Sequence, residues 1–114
     1  MIPKLAHFIW FGSPLPEWAQ ANIDLFTRIN PGWSIKLWQE DSNWLDCVPE
    51  ALKCLVDPKL DSELLLPFYS SRSDIISYSI LNRYGGVYLD VDMVALRSLD
   101  ALAGLGAYAG RQPP

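Results

Sequence analysis

Two carboxylates one residue apart, Asp90 and Asp92, close the stretch Arg83-Tyr84-Gly85-Gly86-Val87-Tyr88-Leu89-Asp90-Val91-Asp92. At a strand's end, residues i and i+2 point the same way, because side-chain direction repeats every two residues. Two such charges repel unless a cation lies between or in front of them. Hard oxygen ligands suit Mg2+ or Mn2+, which take one or two carboxylates and fill their remaining positions with water and a substrate's phosphates. The pair therefore points to a metal-bridged phosphate or diphosphate. The plainer reading of an isolated Asp-x-Asp is a solvated acidic turn. Other metal chemistry has less support. Cys47 and Cys54 have neither CxxC nor zinc-ligand spacing, and His7 is the only histidine, so a structural zinc site is nearly excluded. His7 reads as a strand residue with a satisfied ring.

The elements that must carry the carboxylates follow from local pattern. Ser71 or Ser73 is placed to cap a helix running to about Tyr84, with Asp74 in its first turn, where the dipole favours an anion. Ile76, Ile80 and Tyr84 share one face of it. Gly85-Gly86 ends the helix through a left-handed residue and returns the chain tightly into the strand Val87–Leu89. A glycine there also lets backbone approach a ligand closely. If helix and strand are antiparallel neighbours, Asp74 lies near the carboxyl edge of the sheet, where ligands settle in open α/β folds.

Upstream, Leu5–Phe11 is aromatic and β-branched, bounded by Pro3 and Gly12-Ser13-Pro14, and reads as a buried strand. Pro16-Glu17-Trp18 opens a helix with an apolar stripe of Trp18, Ala21, Ile23, Leu25, Phe26 and Ile29, stopped by Asn30-Pro31-Gly32. Trp33–Trp38 alternates as a half-buried strand does. Short helical pieces are expected at Ser42–Leu45 and Pro49–Val56, and Leu64–Phe68 reads as core or an apolar lid. Met93–Leu99 continues extended or turns, and Ala107–Pro114 resembles the start of another strand. Strand, helix, strand is the opening of an α/β unit.

The 114 residues fit one domain, and half are hydrophobic, enough for a core. Net charge is −4, and the nine Lys and Arg are scattered, which argues against a nucleic-acid partner. No apolar run approaches the ~20 residues of a membrane span. Met1-Ile2-Pro3-Lys4 leads straight into the first strand without a leader pattern, and the two cysteines suit a reducing compartment, so a cytoplasmic address is expected.

Ser73-Asp74, Tyr78, Leu81 and Tyr84-Gly85-Gly86-Val87-Tyr88-Leu89-Asp90-Val91-Asp92 resemble the signature of glycosyltransferases with a DXD sugar-binding region. Ile2-Pro3-Lys4, His7 and Ile9-Trp10-Phe11-Gly12 resemble the opening strand of the same group, which includes yeast-type α-mannosyltransferases, capsule-synthesis enzymes and clostridial glucosylating toxins. The resemblance implies a GT-A-like, Rossmann-like α/β fold in truncated form, residues 1–114 forming its nucleotide-sugar-binding part. It implies a nucleotide-sugar donor, a glycan, lipid or protein acceptor, a Mn2+ or Mg2+ cofactor and transfer with retained anomeric configuration. Carried over by position, Asp92 is the direct metal ligand, and Asp90 reaches the metal through water or binds sugar hydroxyls. Asp74 binds ribose or donor-sugar hydroxyls. Trp10 stacks on the base, or else is a core aromatic. Tyr88 contacts the donor, or else packs in the core, and Gly86 lines the donor site.

Two departures stand out. The family resembled usually has Arg three residues after the motif's first Asp, and here that position is Ser77. Arg72 is a poor substitute, about 200° around a helix from Asp74. Little sequence follows Asp92, so a natural short form, a fragment, or a chain completed by another chain is expected, and exposed strand edges would favour self-association. Two other functions compete. Asp90-Val91-Asp92-Met93-Val94 fits the loop of phosphatases with an aspartyl nucleophile, but the Lys and acidic motifs those enzymes need further on are missing. A degenerate module that holds a nucleotide sugar without turnover is the stronger alternative.

Overall fold

A computed structural model of the protein describes residues 2–60, 62–67, 69–95 and 98–100. The pattern of strand, helix, strand is borne out. Strand β1 (Leu5–Ile9), helix α1 (Glu17–Ile29) and strand β2 (Ser34–Trp38) form the first unit. Short 3-10 turns at Asn43–Cys47 and Glu50–Leu52, a one-turn helix α2 (Lys53–Val56) and a further 3-10 turn at Pro58–Leu60 follow. Helix α3 (Tyr69–Tyr84) then leads into strand β3 (Val87–Tyr88). All pairings are parallel, and the order is β2-β1-β3, with His7 opposite Lys36 on one side and Tyr88 on the other.

Alternation along β1 divides the molecule into two cores. Ala6 and Phe8 face α1, packing with Ala19, Ile23, Phe26, Trp33 and Val87. Phe8 and Phe26 meet edge to face with ring centroids 5.9 Å apart, a geometry that adds about 1 kcal/mol to the area buried. The other face carries Ile9 and Trp38 against Ile76 and Ile80 of α3, with Trp44, Val48 and Val56 closing that layer. The sheet therefore lies between α1 and α3, as an α/β fold requires of a parallel sheet buried on both faces.

The apolar stripe of α1 differs from expectation at its ends. Ala19, Ile23 and Phe26 are buried, while Trp18 is 51 % exposed and Ala21 is also outside. One residue on a helix turns the side chain by about 100°, so with Ala19 in the core Trp18 cannot join it. Asn30 ends α1. It is fully buried, its Nδ2 donates to the Phe26 carbonyl at 3.2 Å and its Oδ1 accepts from the Leu99 N–H at 2.7 Å.

Helix α3 starts earlier than the serines suggest. Tyr69 is its first residue, so Ser71 and Ser73 lie inside it and Asp74 falls beyond the first turn. The expected pairing of Asp74 with the helix dipole is thus corrected, since that effect fades after one turn. Gly85 closes α3 as expected, with φ +69° and its N–H on the Leu81 carbonyl at 2.8 Å. Of the apolar run Leu64–Phe68, Leu64 is 64 % exposed and Leu65 and Leu66 are half-buried, so these residues are not core; Phe68 lies outside the described residues. The expected strand at Ala107–Pro114 also lies outside them. Cys47 and Cys54 are free and half-buried. No helix among the described residues is long and apolar enough to cross a membrane.

Candidate functional site

With the central strand β1 flanked by β2 on one side and β3 on the other, and helices on opposite faces, the strand order reverses between β1 and β3. In open parallel sheets the ligand crevice lies at such a switch point, outside the carboxyl ends of the strands. Trp10 leaves β1 at that edge, and Leu89 to Asp92 leave β3 there.

The carboxylates sit just past the strand rather than on it. Leu89 N–H still bonds the His7 carbonyl at 3.0 Å, and then the chain turns, Met93 N–H closing on the Asp90 carbonyl at 3.0 Å. Val91, between the two acids, is buried in the α1-side core, and its carbonyl accepts from Asn22 Nδ2 at 2.9 Å. Asp90 and Asp92 are both left exposed. The middle residue is the anchor, and the acids on either side are held outward by it.

Tyr88 shows what these acids surround. Its hydroxyl donates to Asp90 Oδ1 at 2.9 Å. The phenol pKa is pushed well up, first by burial, then by that hydrogen bond, then by the negative charges of Asp90, Asp74 and Asp92 in turn. Of the three acids read from sequence as one site, Asp90 touches this half-buried ring, and Asp74 and Asp92 act on it through charge alone. Among the described residues every charge that shifts this phenol is negative.

Trp10 is half-buried and stands apart from that cluster. It lines a shallow hollow of about 350 Å³ with Gly12, Ser13 and Pro14. Its Nε1 donates to the Ser13 carbonyl at 3.0 Å, and Glu40 accepts from the Gly12 N–H, which ties this loop to the end of β2. A cavity of about 410 Å³ lies beside it, between Phe11, Trp44 and the first half of α3. Arg72 and Ser73 line that cavity.

Gly86 has a close approach of its own. At φ +90° a Cβ would lie 2.2 Å from the Leu5 carbonyl oxygen, so the contact it permits is with β1. Ser77 is buried and turned back onto its own helix, its Oγ donating to the Asp74 carbonyl at 2.9 Å.

His7 has a satisfied ring, as expected. Trp38 Nε1, a donor only, gives its proton to His7 Nδ1 at 3.0 Å, which leaves Nε2 to carry hydrogen and donate to the Gly85 carbonyl at 2.9 Å. Burial lowers its pKa most; the Gly85 bond raises it, and Lys36 lowers it further. The neutral ring thus joins β1 to β2 and to the glycine bend ahead of β3. Sequence gave no hint of these partners, which lie far along the chain.

The donor set fits a hard divalent cation. Among the described residues no three His, Cys, Asp or Glu side chains come together as a full metal cage. Two exposed carboxylates beside open solvent are the kind of donors that Mg2+ or Mn2+ takes when water and phosphate fill its remaining positions.

The profile described as "Glycosyltransferase sugar-binding region containing DXD motif" matches residues 16–107. Inositol phosphoceramide mannosyltransferase 3 of Schizosaccharomyces pombe is 32% identical, over 99% of this chain and 30% of its own length. An uncharacterized glycosyltransferase of Acanthamoeba polyphaga mimivirus is 30% identical, over 95% of this chain and 42% of its own. The chain thus spans well under half the length of these relatives. Among solved structures, the ligand-free glycosyltransferase domain from the YGT toxin aligns over 68% of this chain and 16% of that one, at 19% identity and a TM-score of 0.35. With the profile spanning the two helices, the glycine bend and the acidic turn, the chain belongs to the glycosyltransferases whose sugar-binding region contains a DXD motif.

Proposed function

We propose that the chain binds a nucleotide-activated hexose, with mannose the first candidate, through Mn2+ or Mg2+ held by Asp90 and Asp92, for retaining transfer to an acceptor. The observation that carries this reading is the exposed pair Asp90 and Asp92 on the turn just past β3, at the carboxyl edge of a parallel sheet, with Tyr88 donating to Asp90 Oδ1 at 2.9 Å. Two acids so placed gain from a cation, and a cation so placed gains from a diphosphate. Mannose is favoured by the names of the yeast relatives.

In this reading each residue has a task that its chemistry allows. Asp92 offers both carboxylate oxygens to the metal. Asp90, one oxygen already accepting from Tyr88, offers the other to the metal, to its water or to a sugar hydroxyl. Asp74 accepts from ribose or donor-sugar hydroxyls, and Trp10 offers its ring to the base. When bound, the cation supplies positive charge against the diphosphate that leaves the anomeric carbon. Tyr88, its phenol kept protonated first by burial and then by the neighbouring acids, remains a hydrogen-bond donor at any ordinary pH.

One observation favours a second reading, a module that binds without turnover. At the position where the family resemblance implies Arg, Ser77 spends its hydroxyl on the Asp74 carbonyl and brings no positive charge to the donor. Calorimetric titration with UDP- and GDP-sugars, with and without Mn2+, separates the cases. Metal-dependent binding with slow donor hydrolysis supports the transferase. Metal-dependent binding without hydrolysis supports the module, and no metal dependence refutes both. A homo-oligomer or partner chain completing the site belongs to this proposal too, and light scattering with and without donor tests it.

A further inference from the structure

Trp18 is a large aromatic left half in water at the start of α1, where it takes little from the core. What it does touch is Trp10: the two indoles meet at 85° with centroids 5.9 Å apart. The Trp10 ring is therefore gripped twice, by Ser13 at its Nε1 and by Trp18 in an edge-to-face contact. Four residues on from Trp18, Asn22 holds the acidic turn by donating to the Val91 carbonyl at 2.9 Å. Residues i and i+4 are neighbours on one helix face. A single face of α1 thus grips both the loop after β1 and the turn after β3.

We propose that Trp18 and Asn22 are positioning residues, setting the Trp10 indole and the Asp90–Asp92 turn at a fixed separation to span the nucleoside and diphosphate of one ligand. The proposal rests on the reading that Trp10 stacks the base and that the acids hold the metal. It adds that α1, which supplies no ligand-binding group of its own, sets the spacing between them. Neither residue touches the ligand in this scheme. Trp18 acts on the nucleoside end through Trp10, and Asn22 acts on the diphosphate end through Val91.

The two ends give separable signals. Binding of UDP and GDP is measured with and without Mn2+ for wild type, Trp18→Ala, Trp18→Phe, Asn22→Ala and Trp10→Ala, together with indole N–H spectra of 15N-tryptophan-labelled protein. Trp18→Ala should shift the Trp10 indole signal and weaken both nucleotides about threefold to tenfold, the scale of one lost aromatic contact. The ratio between Mn2+ and Mn2+-free affinity should stay at its wild-type value. Trp18→Phe, which keeps a ring in place, should restore binding. Asn22→Ala should do the reverse, reducing the Mn2+ enhancement and leaving the Trp10 signal in place. A role confined to stability would move melting temperature and both affinities together.

The proposal is overturned if Trp18→Ala leaves the Trp10 signal unchanged. It is also overturned if Trp10→Ala weakens binding and Trp18→Ala does not, or if Asn22→Ala spares the Mn2+ enhancement. Should Trp10→Ala bind as wild type while Trp18→Ala still shifts the Trp10 signal, the base-stacking role of Trp10 fails and the spanning proposal falls with it. The local grip of Trp18 on Trp10 would survive as a separate fact.

Discussion

At the residue scale the central fact is a division of labour within three positions. Val91 is buried and bonded through its carbonyl, so Asp90 and Asp92 are fixed without spending their own oxygens on the fold, apart from the one that accepts from Tyr88. Asp92→Asn is therefore expected to abolish Mn2+-dependent nucleotide-sugar binding, with stability within about 0.5 kcal/mol of wild type, as for exposed positions generally; calorimetry and urea unfolding check the two halves. Tyr88→Phe removes one hydrogen bond and should cost about 1 kcal/mol of stability, while freeing an Asp90 oxygen. The satisfied ring of His7 and the exposed placement of the two acids after a short strand were legible in sequence because spacing and residue type carry them, whereas the first-turn placement of Asp74 was misread. The turn holding the acids was not legible. Its closure by Met93 and its anchoring by Asn22 depend on tertiary contacts that leave no mark in a local pattern.

At the scale of elements, the glycine bend and its histidine brace decide where β3 begins. Gly86→Ala places a Cβ against the Leu5 carbonyl at a φ that disfavours side chains, and is expected to destabilise by about 3 kcal/mol or more. Gly32→Ala, with nothing within 4 Å of the new Cβ, should stay within about 0.5 kcal/mol. Urea midpoints of the pair decide whether the bend is as tight as described. His7 adds a pH signature. Its folded pKa lies below the ordinary 6.5, so the unfolded chain takes up the proton first. The contribution of His7 is present in full above 6.5 and is lost as pH falls through that value toward the folded pKa. The urea midpoint should drop over that window in wild type, and the drop should vanish in His7→Gln. Asp100, whose folded pKa is lowered chiefly by the Trp33 indole N–H and then by Lys4, acts only below its ordinary 3.8 and does not obscure the test. Strands and helices were readable here because Pro, Gly and hydrophobic period punctuate them locally. The start of α3 was not, because Ser71 and Ser73 have the chemistry of caps and only the fold shows the helix already under way. Trp18 likewise fits an apolar stripe by spacing, yet the burial of Ala19 turns it outward.

At the scale of the molecule, a parallel sheet ordered β2-β1-β3 between two helices brings to one edge residues that lie far apart in sequence. A ligand that binds only the folded state stabilises it in proportion to the logarithm of its excess, about 2.7 kcal/mol at a hundredfold over Kd. Mn2+ together with a nucleotide sugar should therefore raise Tm in wild type and leave Asp92→Asn unmoved. The most direct test follows where the cation goes. Mn2+ is paramagnetic, so titrating it into 15N-labelled protein with UDP- or GDP-mannose should broaden the amide signals of Asp90 to Asp92 first. Those of Asp74 and Tyr88 should follow, with residues on the far ends of the helices spared. If the Asp90–Asp92 signals stay sharp with both nucleotide sugars present, these carboxylates do not hold the metal and the account is contradicted.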